Sequence, residues 1–113
     1  MKAINKTKNS TIASNVRLAK NPLSRMVGLL LDSNLPDDTG LLIVPGKQIH
    51  SWFMRFTFDA VFINKEGNVI HLIENMKPWK CSKLLLKAKS VLELPAGTIA
   101  KTNIDINDKI EFS

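Results

Sequence analysis

Apolar positions in this chain come in short alternating or continuous runs, broken by Gly, Pro, Asn and Asp, and only one stretch shows helical spacing. Residues 1–10 are polar and are expected to fray. In residues 11–20, Ile12, Val16 and Leu18 fall at even spacing, the signature of a first strand. Asn21 followed by Pro22 supplies an N-cap and a first turn, and Leu23, Met26, Val27 and Leu30 then share one helical face, so a short helix is predicted over 22–32. It stops before Asn34, Leu35 and Pro36, and the sequence DDTG makes a turn. From there the apolar runs are four to eight residues long: 41–44, 49–56, 59–64, 69–73, 90–94 and 109–112. Asn64–Lys–Glu–Gly–Asn68 reads as a hairpin loop with Gly67 in the left-handed position, and Pro95 opens a helical turn. The pattern predicts a mainly β fold: one small sandwich or barrel-like domain over 11–113, carrying one short helix near its start.

The length of 113 residues allows a single core and leaves no room for a second catalytic domain. Sixteen Lys and Arg against ten Asp and Glu give a net charge of +6, and the placement of the charges matters more than the total. Between residues 75 and 92 stand Lys77, Lys80, Lys83, Lys87 and Lys89 without one acid. Only Arg17, Arg25 and Arg55 are guanidinium side chains, whereas planar recognition of bases and phosphates favours Arg, so the lysines read first as a solvated surface and second as a polyanion site. A single cysteine, Cys81, makes neither an intrachain disulfide nor, alone, a metal site. No stretch approaches the roughly 18 apolar residues of a membrane span, and a cytoplasmic protein is the expectation. No phosphate loop, dinucleotide fingerprint or metal-ligand spacing occurs, so neither a cofactor nor a metal is expected.

Candidate chemistry concentrates in two segments. Residues 49–64, IHSWFMRFTFDAVFIN, hold most of the aromatics. His50 is a candidate base or ligand because imidazole titrates near neutrality, although a base needs a positioned partner. Asp59, between Phe58 and Ala60, must be hydrogen-bonded or ion-paired if it is buried. Arg25 on the predicted helix is the expected partner through a bidentate pair, with Arg55 the weaker candidate. His71 alternates with Ile70 and Leu72 and is expected on the solvent side of a strand. In the second segment, residues 76–90, Trp79 near Lys77 and Lys80 is either a stacking platform or a core side chain. Lys80 and Lys83 beside Cys81 would lower its pKa, yet without an evident His partner the case for a nucleophile is weak.

Six segments in order, SRMVGLL (24–30), GLLIVPG (40–46), IHSWFMRFTFDAVFINKEGNVI (49–70), KPWK (77–80), SVLELPAGT (90–98) and NDKIEF (107–112), resemble the prokaryotic family called domain of unknown function 192. The resemblance covers about residues 11–112. It places the family's recurrent polar positions on Arg25, His50, Arg55, Asp59, Lys80 and Glu93, and its turn glycines on Gly28, Gly40, Gly67 and Gly97. The chain departs at Gly46, where the family often has a cysteine, and at Thr57, where it often has a proline. A compact β-rich fold is implied, and no activity. The leading functional expectation is a non-catalytic binding or accessory domain whose rim of His50, Arg55, Trp79 and Lys80 takes an anionic or carbohydrate-like ligand. The alternatives are a small hydrolase, with His50 as base and Asp59 as its orienter, and a nonspecific nucleic-acid binder resting on net charge.

Overall fold

The computed structural model describes residues 1–19, 35–49, 51 and 56–113. Among the described residues eight strands and one short helix follow in the order β1 (Ala3–Asn5), β2 (Ser10–Ala13), β3 (Asn15–Ala19), β4 (Thr39–Ile43), β5 (Phe58–Asn64), β6 (Val69–Met76), β7 (Ala88–Pro95), α1 (Thr98–Thr102) and β8 (Ile110–Phe112). They form a three-stranded sheet, β2-β1-β8, and a five-stranded sheet, β3-β4-β7-β5-β6. All pairings are antiparallel except that of β3 with β4. The predicted helix over 22–32 and most of the predicted strand over 49–56 lie outside the described residues.

Alternation along β5 explains the layering. Asp59, Val61 and Ile63 project to one face, and Phe58, Ala60 and Phe62 to the other; all six are buried. The first face packs with Leu42, Leu92 and Leu94 against Ala3, Ile12 and Ala13 of the small sheet and Ile99 of α1. The second packs with Leu41, Ile43 and Val91 against Leu35, Ile49 and Met76. A strand covered on both sides has no polar face to alternate, hence its near-continuous apolar sequence.

Two expectations are corrected at the N-terminus. Residues 1–10, expected to fray, supply β1, which lies between β2 and β8, with Ala3 and Asn5 fully buried. Asn5 is satisfied there because its Nδ2 donates to Asp108 Oδ2 at 2.8 Å and its Oδ1 accepts from Lys8 N at 3.1 Å. The single strand read over 11–20 is two strands, broken at Ser14, because the chain changes sheets. Asp38 fixes that corner, its Oδ1 accepting from Ser14 N at 2.9 Å and its carbonyl from Asn15 N at 3.1 Å. Leu18, evenly spaced with Ile12 and Val16, is exposed on the edge strand β3.

The hairpin over 64–68 forms as predicted. Gly67 has φ +89°, and Asn64 Oδ1 accepts from Glu66 N and Asn68 N. The helical turn expected after Pro95 is α1, entered through Gly97 at φ +92° and closed by Asn103 in the left-handed region. Among the described residues no helix is long and apolar enough to cross a membrane.

Candidate functional site

The two buried carboxylates of the large sheet do different things. Asp59 Oδ1 accepts from Asn75 N at 2.9 Å and Oδ2 from Ile99 N at 2.9 Å. Asn75 sits at φ +56° in β6, where the β5–β6 register shifts between Phe58 and Ala60. Ile99 is the second residue of α1, whose N-cap, Gly97, offers no side chain. Asp59 therefore caps a helix from a neighbouring strand and holds a bulge at the same time, using a carboxylate where free N–H groups favour one. Arg25, the expected partner, lies outside the described residues, as do His50 and Arg55. Glu93 in β7 is also fully buried and is in register with Leu41 and Ala60, so it projects to the opposite face. That is the face on which Ala19, Leu35, Ile49 and Phe56 pack. The carboxylate on the side of the sheet where the residue preceding His50 is buried is Glu93, not Asp59. Strand parity within Leu92-Glu93-Leu94 was the signal for it, once β7 had been set beside β5.

Ser51 organises the second segment. It is fully buried, and its Oγ donates to the Lys77 carbonyl at 2.6 Å and accepts from Lys80 N at 3.0 Å. Its backbone donates to Lys80 O and accepts from Trp79 N, both at 2.8 Å. Two residues back, Ile49 accepts from Ser82 N at 2.8 Å and donates to Ser82 Oγ at 2.9 Å. Lys47 O accepts from Leu85 N at 2.7 Å. The neighbours of His50 on both sides are thus zipped to residues 79–82. Trp79 is held at φ +63° and is 66% exposed, so it does not fill the core.

Around this scaffold Lys77, Lys80, Lys83, Lys87 and Lys89 are all exposed. The far end of the ribbon borders an open cleft lined by Lys47, Lys65, Leu86, Lys87 and Lys89, with Glu66 the acid on its wall. Lys47 Nζ pins that end by donating to Leu86 O at 2.6 Å and Ala88 O at 3.2 Å. Cys81 is exposed, and its Sγ accepts from Gln48 Nε2 at 3.2 Å. His71 is only half-exposed, with its ring 5.5 Å from the Phe62 ring at a 59° tilt. Burial, and then the positive charge of Lys83, hold its imidazole below the ordinary value of 6.5.

Of the residues singled out in the sequence, Trp79 and Lys80 stand together at the surface and Asp59 is internal. Ser51, the residue that aligns the two segments, carried no signal of its own; a lone Ser in an aromatic run reads as filler until its carbonyl partners are known.

The chain is 29% identical to a UPF0127 protein of Pyrococcus furiosus, over 97% of each chain. It is 31% identical to a UPF0127 protein of Thermococcus sibiricus, over 96% of this chain and 73% of that one. A solved structure of a protein of unknown function from Novosphingobium aromaticivorans superposes with a TM-score of 0.80 at 19% identity, covering 98% of this chain and 82% of that one, which establishes the likeness of fold. Residues 3–112 match the family model DUF192, described as "Uncharacterized ACR, COG1430", and the chain belongs to that family.

Proposed function

We propose that this protein is a non-catalytic binding domain for an anionic ligand, with the lysine ribbon over residues 77–89 as its contact surface. The observation that supports this most is Trp79, 66% exposed yet fixed by a buried serine, beside exposed Lys77 and Lys80. A large aromatic left in solvent on a fixed backbone loses the area it would bury in the core, and a ligand that covers it returns that stabilisation. The absence of any acid between residues 75 and 92 makes the ligand negative rather than neutral, although the same tryptophan also suits an acidic carbohydrate. His50 and Arg55, ligand contacts expected from the sequence, are kept as candidates in this reading. The protein works in the cytoplasm, where the exposed thiol of Cys81 stays reduced.

The test is direct binding of heparin, mixed-sequence DNA and RNA at low salt, followed by a salt titration. Binding to at least one, falling steeply with salt and weakened by Lys77→Ser, Lys80→Ser and Lys83→Ser together, is expected, because each neutralised anionic group releases counterions. No binding to any of the three would overturn anion binding by charge.

A further inference from the structure

Net charge accounts for the lysines of the ribbon but not for what stands between them. Among the described residues six large apolar side chains are exposed, and three of them, Trp79, Leu84 at 56% and Leu86 at 72%, fall within eight residues of the same segment. Neither leucine can bond a phosphate or stack on a base, so a nucleic acid would leave both of them in water. We infer that residues 77–89 dock on an anionic lipid bilayer, with Trp79, Leu84 and Leu86 entering the interface and the lysines spread over the headgroups. The inference rests on the anion-binding reading above and names its partner.

Three features fit that partner. Indole rings settle at the depth of lipid headgroups, where one side of the ring is apolar and the other wet. Lys, rather than Arg, supplies every cation of the segment, and its long methylene stem lets the ammonium reach the headgroup layer while the backbone lies close to the acyl boundary. The backbone is already set: Ser82 and the half-buried Leu85 turn inward, and the hydrogen bonds to Lys47, Ile49 and Ser51 hold the strip in place before any contact. A preformed strip orders little on binding, so few apolar side chains suffice. A short apolar insertion combined with a polybasic patch is the two-signal arrangement that reversible membrane attachment requires.

The experiment uses the full chain with vesicles of phosphatidylcholine alone and of phosphatidylcholine mixed with phosphatidylglycerol, in parallel with heparin. Sedimentation with the phosphatidylglycerol vesicles only is expected, weakening about fivefold for each ribbon lysine replaced by serine. Leu84→Ser with Leu86→Ser should weaken vesicle binding by about tenfold or more, while heparin binding and the melting temperature stay as they are. Quenching of tryptophan fluorescence by brominated lipid should diminish in Trp79→Phe. Heparin binding without vesicle binding would overturn the lipid inference and leave the anion reading standing. Binding to neither would overturn both, and vesicle binding indifferent to the two leucine changes would overturn insertion.

Discussion

Asp59 and Glu93 lie on adjacent strands one register step apart, both fully buried, and project to opposite faces of the five-stranded sheet. Neither can share a donor with the other, so each needs its own supply of hydrogen bonds from the layer it faces. For Asp59 that supply is the amide of Asn75 and the amide of Ile99, which makes the residue a joint between β5, β6 and α1.

Asp59→Asn tests the joint. The amide keeps one acceptor but turns an NH₂ group towards a backbone N–H, leaving a buried donor unsatisfied at a cost of about 1–3 kcal/mol. The unfolding free energy from urea titration should fall by that amount and the midpoint with it, with hydrogen exchange accelerated at Ile99 or Asn75. An unchanged midpoint and slow exchange at both amides would show that the carboxylate is dispensable.

Asp108 should govern the acid limb of stability. Burial acts against its charge, but hydrogen bonds from Asp105 N, Asn5 and Lys8 outweigh it and hold the carboxyl below its ordinary value of 3.8. The unfolded chain therefore takes up the proton first, so this contribution is complete above the ordinary value and is lost as pH falls through the folded one. Asn5→Ala should move the loss to higher pH, read from unfolding curves recorded across the acidic range. A limb that does not move would place the control elsewhere.

His71 has the opposite charge chemistry and the same sign of effect. Its folded value lies below 6.5, so on acidification the unfolded state protonates first and stability declines from about pH 6.5 downwards until the folded imidazole titrates. Lys83→Gln should raise the midpoint of the His71 ring signals in NMR, yet leave it below the ordinary value because burial against Phe62 persists. A midpoint at or above 6.5 in the native protein would contradict the packing.

Ser51→Ala should loosen the ribbon without emptying the core. It strips the Lys77 carbonyl and the Lys80 amide of one partner, at about 1–3 kcal/mol for each group left buried and unpaired. Faster amide exchange across residues 79–82, together with weaker heparin binding, is the expected pair of readouts. Weaker binding with unchanged exchange would mean that the hydroxyl acts on the ligand rather than on the loop.

Local chemistry was the legible part of the sequence. Asn64 and Gly67 specify the hairpin by themselves, and the β5 run announces a doubly covered strand, because those signals depend on a few adjacent residues. The break at Ser14 was hidden, since the period of two continues through Ile12 and Val16 while the chain passes to another sheet, and only Asp38, 24 residues on, marks the corner. Ala3 and Asn5 looked like a polar tail for the same reason: the partner that makes Asn5 a core residue is 103 positions away. Gly46, a departure from the family pattern, has a local cause that only packing reveals. A Cβ there would stand 2.9 Å from Val91 Cγ2 and 3.0 Å from two backbone atoms, so the approach of this segment to β7 excludes any larger side chain.

The small sheet sets an order of events during synthesis. Its central strand, β1, precedes every other described strand in the chain, and one of its two neighbours, β8, follows them all; Lys2 and Ser113 exchange backbone hydrogen bonds at 2.8 and 3.1 Å across that pairing. Until β8 has left the ribosome, β1 can hold only β2 and keeps a row of amides and carbonyls open on its other side. The five-stranded sheet can be assembled earlier, since β7 precedes β8 in the chain. A nascent chain stalled before Ile110 would thus carry a nearly finished sheet beside an unsealed edge, the state in which a ribosome-bound chaperone has most to protect.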